Sequence, residues 1–270
     1  MKVTIVVDNI EHAGIPGEWG FCAYIEQNGK KLLLDTGASN LFAENAEKLN
    51  IDLKDIDFAV LSHAHYDHAN GMEKFFEINR KAPFYLQEGC GENCYFKKGF
   101  IRKYIGIPKG ITKKYQDRIE YVSGVYTVAD GIYLVSHSTP HLEQIGKKEM
   151  MYQKTKLGWK PDNFCHEQSL VLDTDGGLVI FNSCSHGGVV NIINEVKAAF
   201  PNKKITALIG GFHIFKHPEA EIRELAKLIK ETGIERIYTG HCSKERGYRI
   251  LREELGDMAG QFYVGMELVF

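Results

Sequence analysis

The segment Leu61-Ser62-His63-Ala64-His65-Tyr66-Asp67-His68 constrains this chain more than any other. Three histidines and an aspartate fall within six residues, in the pattern His-x-His-x-Asp-His. The apolar run Phe58-Ala59-Val60-Leu61 precedes them and reads as a buried strand. The ligand-type side chains therefore sit at a strand end, where a rigid element aims them at one point. Neutral imidazole and carboxylate suit Zn, Fe or Mn. Their order and spacing suit two adjacent ions better than one.

Around this motif, strand and helix patterns alternate. Lys2–Asp8, Phe21–Gln27, Lys31–Asp35, Phe84–Gln87, Ile132–Ser136, Ser169–Asp173, Leu178–Asn182, Ile205–Ile209 and Ile234–Tyr238 read as strands. Asn40–Leu49, Asn70–Ile78, Gly187–Phe200 and Glu219–Glu231 read as helices, the last with Ile222, Leu225, Leu228 and Ile229 on one stripe. Ser243 is placed to cap a helix running to Leu255, and Gln261–Phe270 reads as a final strand or hairpin. Two stretches, 89–115 and 141–163, break the alternation and read as insertions able to form a lid over one domain spanning 1–270. They mix aromatic residues, Tyr104 and Trp159 among them, with many lysines, which suits a flat ring joined to an anionic group.

His63-x-His65-x-Asp67-His68 after a strand resembles the metallo-β-lactamase-fold superfamily, as does Asp35-Thr36-Gly37 after Leu32-Leu33-Leu34. Asp8-Asn9, Glu18-Trp19-Gly20-Phe21 and Asn182-Ser183-Cys184-Ser185-His186-Gly187-Gly188 narrow the resemblance to a branch similar to dihydropterin ribofuranosyl-aminobenzene phosphate synthases. The resemblance implies an α/β fold of four layers, αββα, in which two mixed sheets are flanked by helices. It also implies two divalent metal ions, Zn foremost, with Fe or Mn as alternatives. His166 resembles the family's third histidine and His241 its last. Cys184 stands where family members more often place a bridging aspartate. One metal would then lie on His63, His65 and His166, and the second on Asp67, His68 and His241. Cys184 either bridges them or is an ordinary buried thiol, and His186 is able to replace His166 or Cys184. His213, after another strand, joins His186 as a residue contacting substrate, and either would serve as general acid. Asp67 would ligate and orient the nucleophile.

Asp35 reads as a carboxylate accepting the free ring N–H of a ligand histidine. Gly187-Gly188 before a helix leave backbone N–H groups suited to a phosphate.

These residues imply a metal-dependent hydrolase or group transferase that uses metal-bound hydroxide on a phosphorylated aromatic, pterin-like or nucleotide-like small molecule. An iron-dependent thiol or persulfide dioxygenase, or another redox enzyme, is the alternative, motivated by Cys165, Cys184 and Cys242 beside the later ligands. A catalytically silent binding protein is the third reading. A net charge of −2, from 33 basic and 35 acidic residues, argues against nucleic acid as partner. No apolar run approaches the roughly 18 residues of a membrane span. With six scattered cysteines read as free thiols, the cytoplasm is the expected location. Oligomeric state is not legible.

Overall fold

A computed structural model describes all 270 residues. Two seven-stranded sheets lie face to face. In the first the spatial order is Glu267–Val269, Lys2–Val7, Cys22–Gln27, Lys30–Leu34, Phe58–Val60, Phe84–Gln87 and Ile119–Val122. In the second it is Ala259–Gln261, Arg236–Thr239, Ile205–Ile209, Gly177–Phe181, Gln168–Thr174, Ile132–Ser136 and Val125–Ala129.

The two-residue period of a strand assigns each side chain to a layer. Leu32 and Leu34 join Val3, Ile5, Val179, Phe181 and Ile209 in the core between the sheets. Leu33, between them, points outward to Phe42 and Phe75 of the helices Leu41–Lys48 and Met72–Ile78. Leu178 and Ile180 likewise pack against Val189–Ala199, Glu219–Glu231 and Lys244–Leu255. Strands buried on both faces read as unbroken apolar runs, and the result is four layers, αββα, as the sequence implied.

Both insertions are more ordered than their sequences suggested. Cys94–Lys98 and Ile101–Tyr104 form one hairpin, Met151–Thr155 and Gly158–Pro161 another, and the two pair through Met151↔Phe96 and Gln153↔Cys94. Lysine and arginine disguise these strands as solvated loops. In place, Tyr95 packs edge-on against Tyr104 and Trp159, while Arg102 and Lys154 lie over the Trp159 ring. Cys94 opens the first of these strands.

Parallel pairing within both sheets brings strand carboxyl ends to a common edge. Lys30–Leu34 runs parallel to Phe58–Val60, and Gly177–Phe181, Ile205–Ile209 and Arg236–Thr239 are mutually parallel. Asp35, His63, Cys184, His213 and His241 all follow such ends, where ligands bind in open α/β sheets.

Candidate metal centre

The His-x-His-x-Asp-His segment leaves its strand at Val60 and closes into a single helical turn, Tyr66–Ala69, which carries Asp67 and His68. His68 Nε2 lies 3.2 Å from His241 Nε2, and Asp67 Oδ2 lies 3.9 and 3.6 Å from these two nitrogens. Hydrogen-bond partners fix where the ring protons are. Asp35 Oδ2 sits 2.7 Å from His68 Nδ1, so that nitrogen carries the hydrogen. Asn9 Oδ1 faces His241 Nδ1 at 3.3 Å. With both rings neutral, two Nε2 lone pairs point at each other across 3.2 Å, an arrangement that repels unless a cation lies between them or His68, raised against its burial by Asp35 and Asp67, carries a second proton.

A second pair of imidazoles lies a few ångströms away. Ser62 Oγ donates to Asp35 Oδ2 at 2.7 Å and so accepts from His63 Nδ1 at 2.9 Å. His63 Nε2 then presents a lone pair to His186 Nε2 at 3.3 Å. His63, His65 and His186 have donor atoms within 4.8 Å of one another, as do His63, His68 and Cys184. Burial first, then mutual repulsion, holds His63, His65, His186 and His241 well below the usual imidazole range. Neutral rings with free lone pairs are what a divalent cation requires. The donor set of imidazoles, one carboxylate and a thiol fits Zn or Fe better than Mg or Ca.

Of the residues singled out from sequence, His63, His65, Asp67, His68, Cys184 and His241 meet here. His166 does not join them in the expected way. Its Nδ1 accepts the Ala64 N–H at 3.1 Å and its Nε2 faces Asp162 Oδ2 at 3.1 Å. With the hydrogen on Nε2, His166 is tied to Asp162, and it groups with His65, Cys94 and Asp162 and not with His63. His186 occupies the place beside His63 and His65 instead. Cys184 Sγ stands 3.3 Å from His68 Nε2 and 3.4 Å from Cys242 Sγ. Burial raises the Cys184 thiol. Cys242 is lowered to about 6 despite its burial, by its contact with Cys184 and the His213 N–H at 3.1 Å.

Asp35 serves three donors at once: the Ser62 N–H and Oγ–H and His68 Nδ1, each at 2.7 Å. Asp35, Ser185, His213 and His241 all adopt positive φ, between 45° and 60°. Such strain in non-glycine residues concentrates at functional sites.

The glycines do not offer bare N–H groups. Gly187 N–H donates to Glu167 Oε2 at 2.8 Å and Gly188 N–H to Ser185 O at 2.9 Å. Glu167 also accepts the His186 N–H at 2.9 Å. Its other contact, His137, is held between Glu167 at 2.5 Å and Glu195 at 2.8 Å. The two carboxylates outweigh burial and push His137 up to about 10. This buried Glu167–His137–Glu195 chain sets the loop that presents His186. It has no sequence signature, since its members are brought together only by the fold.

Tyr104 and Trp159 lie in the insertion sheet and do not line the cavity at the metal residues. That cavity, about 270 Å³, is walled instead by Trp19, Tyr66, Phe96, Met151 and Phe215, with Lys103 and Lys216 among its lining residues. Phe96 and Met151 come from the paired insertions, which thus cover the centre.

A profile of the metallo-β-lactamase superfamily matches residues 19–147. In fold and in its motif residues the chain is similar to members of that superfamily. A 7,8-dihydropterin-6-methyl-4-(β-D-ribofuranosyl)-aminobenzene-5'-phosphate synthase of Methanocaldococcus jannaschii is 29% identical over 273 residues, covering 93% of this chain and 88% of the relative. A solved structure described as a metal-dependent hydrolase of the β-lactamase superfamily superposes with a TM-score of 0.85 at 26% identity, covering 100% of this chain and 99% of the other. Zn-bound PqqB of Methylobacterium extorquens shares the fold at a TM-score of 0.58 and 12% identity, with 100% of both chains covered.

Proposed function

We propose that the chain is a metal-dependent hydrolase or group transferase acting on a phosphorylated aromatic or pterin-like small molecule. The observation carrying this reading is the convergence of buried imidazoles in the pairs His68–His241 and His63–His186, whose Nε2 atoms lie 3.2 and 3.3 Å apart. His63, His65 and His186 would hold one ion and Asp67, His68 and His241 the other, with Cys184 adjoining both. Two such ions supply an acidified water and positive charge opposite a developing oxyanion.

The chain's own residues do the rest. Asp67, next to both sets, orients the attacking water. His213, 4.4 Å from His186 between ring centroids, is placed to give a proton to the leaving group. Trp19 and Phe215, 5.7 Å apart, offer faces to a flat ring, and Lys103 and Lys216 offer charge to a phosphate. Phe96 and Met151 exclude bulk water. The name of the archaeal relative supports a pterin-linked ribofuranosyl phosphate as the first substrate class to try.

The Cys184–Cys242 pair favours a second reading, iron-dependent thiol oxidation, because two thiols 3.4 Å apart adjoin the ligand set. A screen of zinc- and iron-loaded protein against phosphodiesters, phosphomonoesters and lactones, with oxygen uptake on thiols in parallel, separates the readings. Hydrolysis by the zinc form, with no oxygen uptake by the iron form, supports the first; the reverse overturns it.

A further inference from the structure

The two insertion hairpins carry a charge that the metal centre does not use. Residues 94–104 and 151–161 hold seven lysines and arginines and no aspartate or glutamate, against 26 basic and 35 acidic residues in the remainder of the chain. None of the seven is ion-paired, whereas Lys148, just outside, is bound to Glu221 at 3.0 Å. Both hairpin turns end in an apolar side chain: Phe100 and Leu157 are fully exposed, and Ile101 is largely so. Turns ask for glycine or small polar residues, so nothing in hairpin formation calls for Phe100 or Leu157 there. We propose that the outer face of this four-stranded sheet docks on an anionic lipid bilayer, with Phe100 and Leu157 entering the headgroup layer.

Strand alternation separates the two faces of the sheet. Phe96 and Met151, directly paired, turn inward to the metal cavity, and so does Lys103, opposite Phe96. Tyr95 and Tyr152, one residue along, are paired on the other face, with Tyr104 opposite Tyr95. Lys154 opposite Trp159 and Lys97 opposite Arg102 share that face. It therefore alternates amphipathic rings with cations, a composition suited to a membrane–water interface. With Lys103 turned to the cavity, six cations remain for anionic headgroups.

A single-stranded nucleic acid would need open ring faces on which to stack its bases. Here the chain's own cations already lie over the rings. Arg102 and Lys154 stand 5.2 and 5.1 Å from the Trp159 centroid, and Lys97 and Lys109 each stand 4.9 Å from those of Tyr152 and Tyr104. Aliphatic Ile101 and Leu157 offer bases no stacking surface, but they gain by leaving water for the acyl boundary of a bilayer. The two turns stand at opposite ends of the sheet, because the hairpins pair antiparallel through Met151↔Phe96 and Gln153↔Cys94. Lipid therefore lies along the sheet, touching both turns, rather than against one tip.

The test is sedimentation of the full-length chain, as purified, with vesicles of equal parts phosphatidylglycerol and phosphatidylcholine, and with vesicles of phosphatidylcholine alone. The chain is expected to sediment with the mixed vesicles and to bind the neutral ones about 100-fold more weakly. Phe100→Ser and Leu157→Ser should each weaken binding about tenfold, and Lys98→Gln with Lys156→Gln together about 30-fold. All four side chains are exposed, so melting temperature and metal content should match wild type. The proposal is overturned if the mixed vesicles do not carry the chain down, if neutral vesicles do so equally well, or if the variant with both serines binds as wild type. A chain that ignores vesicles yet binds a single-stranded oligonucleotide assigns the surface to nucleic acid and overturns it as well. The surface contains none of the metal-centre residues, so these outcomes stand apart from those that test the hydrolase reading.

Discussion

At the scale of single residues, proton positions decide the account. His166 and His186 both sit near the metal residues, and sequence order favoured His166 as ligand. In the structure His186 is grouped with His63 and His65, while His166 is grouped with His65, Cys94 and Asp162 and has the Ala64 N–H and Asp162 at its two nitrogens. His186→Ala is expected to lower metal content, whereas His166→Ala should keep it and destabilise the fold by about 1–3 kcal/mol through unpaired buried groups. Metal analysis and thermal melts of the two variants check this; equal metal loss in both would sink the assignment. Asp35→Ala should weaken metal binding by about 10- to 100-fold, read by competition with a chromophoric chelator, because it frees the His68 ring. The compact motif 63–68 was legible in sequence because its residues are neighbours in the chain. His186 was ambiguous because a metal-facing histidine and a hydrogen-bonded one look alike until their partners are seen.

The loop 184–188 and the insertion hairpins carry the argument at the scale of elements. His137, between Glu167 and Glu195, supports the loop through its charge. Its folded pKa of about 10 lies above the unfolded value of about 6.5. Its contribution is therefore complete below pH 6.5, declines as pH rises from there, and is gone above pH 10. The melting temperature should fall across that window, and more shallowly in His137→Gln; an identical slope in the variant would contradict the assignment. Gly187→Ala should also destabilise the loop, by about 1–3 kcal/mol, since a Cβ there would lie 2.2 Å from the His137 ring. Circular dichroism melts decide that case. None of this chain was visible in sequence, where Glu167 and Glu195 are ordinary acids at unrelated spacings. The insertion hairpins were missed for a different reason: alternating aromatic and basic residues are amphipathic strands, but their polar face is so charged that the pattern reads as solvent-exposed loop.

Over the whole molecule, most of the architecture was legible. The resemblance of the His63–His68 motif implied the four layers, and strands such as Lys30–Leu34 and Gly177–Phe181, buried on both faces, fit them as they would fit other α/β folds. What sequence does not carry is which strand ends face each other across the two sheets, and that pairing creates the His68–His241 contact over 173 residues. A centre built from both sheets should clamp them together. Chelation is then expected to lower the melting temperature, with recovery on adding Zn, since ligands that bind only the folded state stabilise it. No helix is long and apolar enough to cross a membrane.

The most direct test is metal content per chain, by elemental analysis of full-length protein purified without added metal and again after titration with Zn. The account predicts about two ions per chain in wild type and a loss on replacing His186 or His241. Protein that holds no metal and takes none up would contradict it.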